Sequence, residues 1–302
     1  MSMLMNTKPI HRFGSVALIG RPNAGKSTLV NRLVGEKISI VTDKPQTTRT
    51  RIMGIVTRPD WQMVVYDAPG IYKPWDRLGK AMVESATSSL SGGDVIYYIV
   101  DATGGFGAGE TYILRMLEEI HAPVFLLLNK VDLLEKEKLL PLIASYQEKM
   151  EFVHIFPISA LKGDNIPELL AETALYLPEG PPCYDADEMT DQPERTVVSE
   201  MIREKAIQAT RQEVPYAVAV VIESMEERRP GLTDIHGIIY VEQESQKGIL
   251  IGKKGAVLKR IGSEARKDIE ELLGTQANLQ LVVRTRANWR NNEAQIRRLT
   301  HS

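Results

Sequence analysis

From residue 14 to about 177, short apolar runs alternate with helical patterns. "SVALIG" (15–20), "QMVVYDAPG" (62–70), "DVIYYIVDA" (94–102), "APVFLLLNK" (122–130) and "VHIFPISA" (153–160) each end in a polar or glycine-containing turn. Runs that stay apolar on both faces, separated by helical patterns, predict strands of a mainly parallel sheet inside an α/β sandwich. In such sheets ligands sit at the carboxyl ends of the strands. Every polar motif of this half falls at such an end.

The pattern breaks at "PEGPPCYDADEMTDQPE" (178–194), where proline denies a helix and charge denies a core. The reading is therefore an N-terminal domain over 1–178, an acidic, proline-rich linker over 179–195 and a C-terminal domain over 196–302. Beyond the linker the pattern predicts a helix (196–212), strands "YAVAVVIES" (216–224) and "HGIIYVEQES" (236–245), a helix (255–273) and a last strand, "LQLVVRTR" (279–286). Leu258, Ile261, Ala265, Ile269 and Leu272 recur at three and four, one stripe expected to be buried.

With 302 residues, 43% apolar and 25% charged, the chain has the composition of two folded domains. Its net charge of −2 hides an asymmetry. Between Lys247 and Arg298 stand 12 Lys and Arg against 5 Asp and Glu, a basic module inside a neutral total. The single cysteine, Cys183, excludes an internal disulfide and fits a reducing cytoplasm. The first thirteen residues lack the apolar core of a signal peptide. No apolar run approaches the roughly 18–20 residues that span a bilayer, and nothing in the sequence asks for peripheral membrane contact, although that option stays open.

"GRPNAGKS" (20–27) fits G-x-x-x-x-G-K-[ST] directly after a predicted strand. Gly20, Asn23, Ala24 and Gly25 would let backbone N–H groups turn toward phosphates, with Thr28 in the following helix, whose dipole adds positive potential. Lys26 would neutralise the β- and γ-phosphates and the Ser27 hydroxyl would ligate Mg²⁺. Asp67, at the next polar strand end, can hold the same metal through water, and the Gly70 amide can touch the γ-phosphate. In Asn129-Lys130-Val131-Asp132 the carboxylate of Asp132 can accept from guanine N1–H and its exocyclic amine, and Lys130 can lay its stem over the purine. Ser159, Ala160 and Leu161 would close the base pocket. Each motif alone has a bland reading, such as a helix cap for Asn-Lys-x-Asp. Four in order, each at a strand end, point to GTP and GDP.

The series "GRPNAGKST", "QTTR" (46–49), "DAPG", "NKVD", "SAL" resembles the translation-factor-related branch of P-loop GTPases. That resemblance implies a first switch at Gln46, Thr47, Thr48 and Arg49, with a threonine ligating Mg²⁺ in the GTP state. Thr48 matches it best, and adjacent Thr47 is the alternative. The glutamine that follows D-x-x-G in signalling GTPases is replaced by Ile71, which cannot orient water. In related ribosome-associated GTPases an asparagine at the position of Asn23 helps hold K⁺, which makes Asn23 a candidate for that ion. The alternative is that it only shapes the loop.

"ILIGKKGAV" (249–257) lacks the four-residue gap and the hydroxyl of a nucleotide loop. It is similar instead to the I-G-x-x-G signature of KH modules, which clamp the backbone of single-stranded nucleic acid. Ile251, Gly252, Lys253, Lys254 and Gly255 would form the clamp, Ile249, Ile251 and Val257 the groove. Arg284, Arg286 and Arg290 would extend the basic surface. The helix and strand order around the loop resembles the permuted, type II KH form.

A GTPase domain followed by one type II KH domain resembles a family of bacterial ribosome-assembly GTPases along nearly the whole chain. "GRPNAGKSTLVNRLVGEKISIVTDKPQTTR" and "GILIGKKGAVLKRIGSEARKDIE" carry the match. The resemblance implies a monomeric cytoplasmic GTPase that binds the 3′ end of 16S rRNA in the small ribosomal subunit rather than DNA. Two rivals fit less well. A GTPase assisting tRNA modification would need a C-terminal cysteine, and Cys183 lies in the linker. A membrane-linked cell-cycle signal protein would need a basic amphipathic helix, which only "NNEAQIRRL" (291–299) approximates.

Overall fold

The computed structural model describes residues 11–211 and 214–300. The N-terminal stretch read above for a signal peptide lies mostly outside them. In chain order the elements are β1 (Arg12–Ile19), α1 (Lys26–Val34), β2 (Ile52–Arg58), β3 (Trp61–Asp67), α2 (Arg77–Ser88), β4 (Val95–Asp101), α3 (Ala108–Leu117), β5 (Val124–Asn129), α4 (Lys136–Gln147), β6 (His154–Ile158) and α5 (Ile166–Tyr176). Then follow α6 (Glu194–Gln208), the short α7 (Val214–Ala217), β7 (Ala219–Arg229), β8 (Leu232–Val241), α8 (Glu244–Ile251), α9 (Ala256–Leu273), β9 (Gln276–Thr285) and α10 (Glu293–Thr300). Among the described residues no helix is long and apolar enough to cross a membrane.

The chain divides into two compact units whose boundaries do not follow chain order. One contains the chain through Ile38, Arg51–Ile71 and Ala86–Asp191, and the other Ser39–Thr50, Tyr72–Ser85 and everything from Gln192 on.

In the first unit six strands run in the order β2-β3-β1-β4-β5-β6. All neighbours are parallel except β2 with β3. Apolar strands buried on both faces need helices on both, and β5 is buried at every position. The core gathers Val16 and Leu18 of β1, Leu29 and Leu33 of α1, Tyr97 of β4 and Leu127 of β5. Strand β2 escapes the sequence reading because Gly54 interrupts its apolar run. That glycine is required by packing, since a Cβ there would stand 2.7 Å from Val34 Cγ2 on α1. The proline-rich stretch does not hang free of this unit. Ile55 N–H donates to Met189 O at 2.8 Å, and the Gln62 side chain accepts from the Cys183 and Tyr184 amides at 2.9 and 3.0 Å.

In the second unit β7-β8-β9 form a sheet, antiparallel then parallel. Helices α6 and α9 cover it, with Ile202, Ile261, Ala265 and Ile269 fully buried. Of the predicted α9 stripe, Leu258 is only partly buried and Leu272 is 36% exposed, because the sheet covers a narrower arc than the three-and-four pattern suggested. The predicted strand to 245 ends at Val241, where Gln243 and Gln246 form a reciprocal capping box that starts α8. The 72–85 segment joins this unit through Leu78 and Met82, which pack with Ile238, Tyr240 and Trp289. Ile296 and Leu299 of α10 join the same cluster, so the apolar face of "NNEAQIRRL" is taken up in packing.

Candidate functional site

The register of the first sheet brings its motifs to one edge. Tyr66 lies beside Ala17, so the Asp67 and Gly20 ends adjoin, and Asp101 pairs with Asn129, which pairs with Ile158. β1 sits between β3 and β4, where the chain winds off in both directions, the place where such sheets form a crevice.

Three glycines fix the loop after β1 by close approach. A Cβ on Gly20 would stand 2.3 Å from Ile99 O, one on Gly25 2.1 Å from Asn129 Nδ2, and one on Gly70 2.5 Å from Pro22 N. Gly25 caps α1 at a φ of 102°, and Asn23 shares the left-handed region at 63°. Ala24 is buried and Thr28 half-buried. Lys26 is 5% exposed, and its ammonium donates to the carbonyls of Gly20 and Arg21 at 3.2 and 3.1 Å. Burial lowers its pKa to about 8, against the opposing pull of the Asp67 carboxylate. Ser27 follows it in α1, and Asp67 is fully buried at the end of β3. Ile71, next to Gly70, is buried too, and its N–H donates to Gly20 O at 3.0 Å.

Asn129 is 2% exposed and joins two motifs. Its amide donates to Ala24 O at 2.8 Å while its carbonyl accepts from Ala160 N–H at 2.9 Å. Lys130 sits at a left-handed φ of 68° with its ammonium 2.5 Å from Asp101 Oδ2. Burial would raise the Asp101 pKa, but hydrogen bonds from Lys130 and Thr103 outweigh it and hold the carboxyl low. The Asp132 carboxylate is 7% exposed and lies 3.7 Å from Lys162 Nζ. Ser159 Oγ accepts from Lys162 N–H at 3.1 Å, Ala160 is buried and the Leu161 side chain is exposed. Lys162 and Asp101 were missed by sequence reading, and no local signal marks either of them.

The first-switch residues belong to the second unit. Gln46 has a φ of 63°. Thr47 Oγ1 donates to Lys44 O at 2.7 Å, and its carbonyl accepts from Arg203 of α6 at 2.5 Å. Thr48 is buried. Arg49 is 8% exposed, donates to Val218 O and Tyr216 O at 2.5 and 2.9 Å, and stacks over Trp289 at 5.3 Å. Burial, then repulsion from Arg203, lowers its pKa to about 9. The "QTTR" arginine is thus a buried anchor of its segment.

In the second unit Ile251 ends α8, and Gly252, Lys254 and Gly255 all have positive φ, at 71°, 52° and 78°. A Cβ on Gly252 would stand 2.5 Å from Val257 Cγ2. Lys253 and Lys254 are exposed. Beside this turn α9 and β9 flank an open groove of about 580 Å³ lined by Leu258, Lys259, Gly262, Arg266, Leu279 and Leu281. Ile249, Ile251 and Val257 do not line this groove. Ile251 and Val257 pack against the core, and Ile249 points to solvent on α8. The spacing of Leu258, Gly262 and Arg266 puts a second face on α9 that the sequence already carried. Among the described residues strand β9 pairs only with β8, leaving an edge beside the groove. Arg284 lies 3.5 Å from Glu223, and Arg286 stacks over Tyr240 at 5.7 Å. Arg290 does not extend the basic surface: Glu242 and Asp76 neutralise it at 2.7 and 3.2 Å.

Comparison with known proteins gives a consistent picture. Residues 15–130 match a family described as 50S ribosome-binding GTPase, and 213–290 match the KH domain. GTPase Era of Lacticaseibacillus paracasei is 50% identical over 292 residues, 97% of each chain. The crystal structure of Era in complex with MgGDPNP and nucleotides 1506–1542 of 16S ribosomal RNA superposes with a TM-score of 0.93 at 41% identity. That match covers 97% of this chain and 99% of the other. A single-residue variant of Aquifex aeolicus Era bound to GDP·AlF4⁻ gives 0.93 at 40% identity, over 96% and 99%.

Proposed function

The chain belongs to the Era family of GTPases, and from that premise we propose a division of labour between named residues of its two units. The protein is a GTP-hydrolysing enzyme with a KH domain, acting on GTP to give GDP and phosphate. Through that domain it binds the 3′ end of 16S rRNA, as a switch in assembly of the small ribosomal subunit. One observation carries this reading. A leucine-lined groove flanked by a lysine-bearing glycine turn stands in the same chain as a buried P-loop lysine.

The P-loop amides and Lys26 hold the β- and γ-phosphates. A magnesium ion fits the residues present, a serine hydroxyl and a buried carboxylate being hard oxygen donors of the kind that share Mg²⁺ with phosphates. Ser27 would bind it directly and Asp67 through water. The ion neutralises charge that develops on the phosphate oxygens. Asp132 reads the guanine edge, while Asn129 holds the loop of Ser159, Ala160 and Leu161 against the P-loop. Ile71 is apolar and buried, so the attacking water is oriented from elsewhere. We assign part of that task to a K⁺ ion held with the help of Asn23. Exchanging K⁺ for Na⁺ should slow turnover, and equal rates in both salts would remove the ion.

In the second unit Gly252 and Gly255 let a nucleic-acid backbone approach, and Lys253 and Lys254 meet its phosphates. Leu258, Leu279 and Leu281 offer apolar contact for unstacked bases. We place the enzyme in the cytoplasm as a monomer. Crosslinking followed by sequencing of the bound RNA tests the assignment. One dominant site near the 3′ end of 16S rRNA is the expected result, and a tRNA or scattered profile overturns it.

A further inference from the structure

We propose that Arg32 is a positioning residue for guanine recognition, acting through the Ser159–Lys162 loop. The inference rests on the base-pocket reading of Asp132 given above. Helix α1 starts at the phosphate loop with Gly25, Lys26 and Ser27. Further along the same helix, Arg32 Nε donates to Ala160 O at 3.2 Å, and Nη2 donates to Leu161 O. One guanidinium thus spans two consecutive carbonyls, a use of its planar fork that lysine cannot reproduce.

Ala160 is held from both sides. Its N–H goes to Asn129 Oδ1, and Asn129 in turn holds Ala24 O of the P-loop. Its carbonyl goes to Arg32. In a trans peptide the C=O and the following N–H point in opposite directions. Drawing the Ala160 carbonyl toward α1 therefore turns the Leu161 N–H to the other side. Drawing the Leu161 carbonyl the same way sets the Lys162 N–H, which closes onto Ser159 Oγ at 3.1 Å. The peptide planes of the loop are fixed before any base arrives. A neutral donor held in this way suits the exocyclic oxygen of a purine, the feature that separates guanine from adenine, while Asp132 reads the N1–H and amine. The helix that begins at the phosphates thereby sets the loop at the base as well, so both ends of the nucleotide are registered to α1. Arg32 is itself exposed, so its removal leaves neither a buried charge nor a cavity, and the fold should survive.

The experiment uses the full chain with Arg32→Met and Arg32→Lys. GDP and IDP affinities, GDP release and steady-state GTP turnover are measured for each. Arg32→Met should weaken GDP by about tenfold, chiefly through faster release. KM for GTP should rise while kcat at saturation stays at the parent's value. The ratio of GDP to IDP affinity should not change, because the 2-amino group that distinguishes them is read by Asp132. Arg32→Lys should recover part of the loss. A GDP affinity within about twofold of the parent, a fall in kcat at constant KM, or a collapsed GDP-to-IDP ratio would each overturn the assignment. Asp132→Asn is measured alongside. Lost guanine selectivity there with a silent Arg32→Met defeats Arg32 alone, whereas unchanged selectivity in Asp132→Asn defeats the pocket and this inference together.

Discussion

The two glycine–lysine loops are built from the same residue types and do different work. In "GRPNAGKS" the lysine is 5% exposed, its ammonium turned onto the loop's own carbonyls, and the two glycines are pressed against Ile99 and Asn129. In "GKKG" both lysines are exposed, and a Cβ on Gly255 would meet nothing within 4 Å. The first loop opens a helix directly from a buried strand. The second links α8 to α9 at the rim of an open groove. Burial, more than composition, separates a phosphate chelator from a backbone clamp.

The largest way to break this comparison is to exchange the roles of the lysines. Lys26→Ala should cost nucleotide affinity on the order of a hundredfold, because a buried ammonium facing phosphate works at low local dielectric. Reversing Lys253 and Lys254 together to Asp should weaken single-stranded RNA binding by about tenfold at moderate salt and flatten its salt dependence. GTP affinity and melting temperature should stay near the parent's, since both side chains are solvated. Normal RNA affinity in the folded double variant would reduce the second loop to a turn.

A smaller effect follows from the buried lysine's titration. Burial penalises the charged form, so the folded chain binds the Lys26 proton less tightly than the unfolded chain does. Between its folded pKa of about 8 and the ordinary 10.5, the unfolded chain binds more protons. This group's contribution to stability therefore rises with pH across that window, and its cost is fully present below it. Nucleotide binding runs the other way, because phosphates favour the ammonium. GDP affinity should fall as pH rises past about 8, by at most roughly tenfold per unit, with proton uptake visible by calorimetry in buffers of different ionisation heat. A flat GDP profile across this range would show that Lys26 does not face phosphate.

Sequence by itself determined what is local. Apolar runs such as "VFLLLN" and "VIYYIV" marked strands buried on both faces, because no other environment takes so many apolar side chains. The P-loop glycines, the Asn-Lys-x-Asp run and I-G-x-x-G were legible because their chemistry lies in residues adjacent along the chain. Tertiary structure alone decided what depends on distant partners. It paired β2 with β3 despite Gly54, laid 179–190 along the first unit and folded 39–50 and 72–85 into the second. It neutralised Arg290, opened a groove between α9 and β9, and brought Arg32 to carbonyls 128 and 129 positions away. Side-chain period and backbone sterics act over a few residues, whereas a salt bridge or a carbonyl clamp between remote segments exists only once packing has placed both ends.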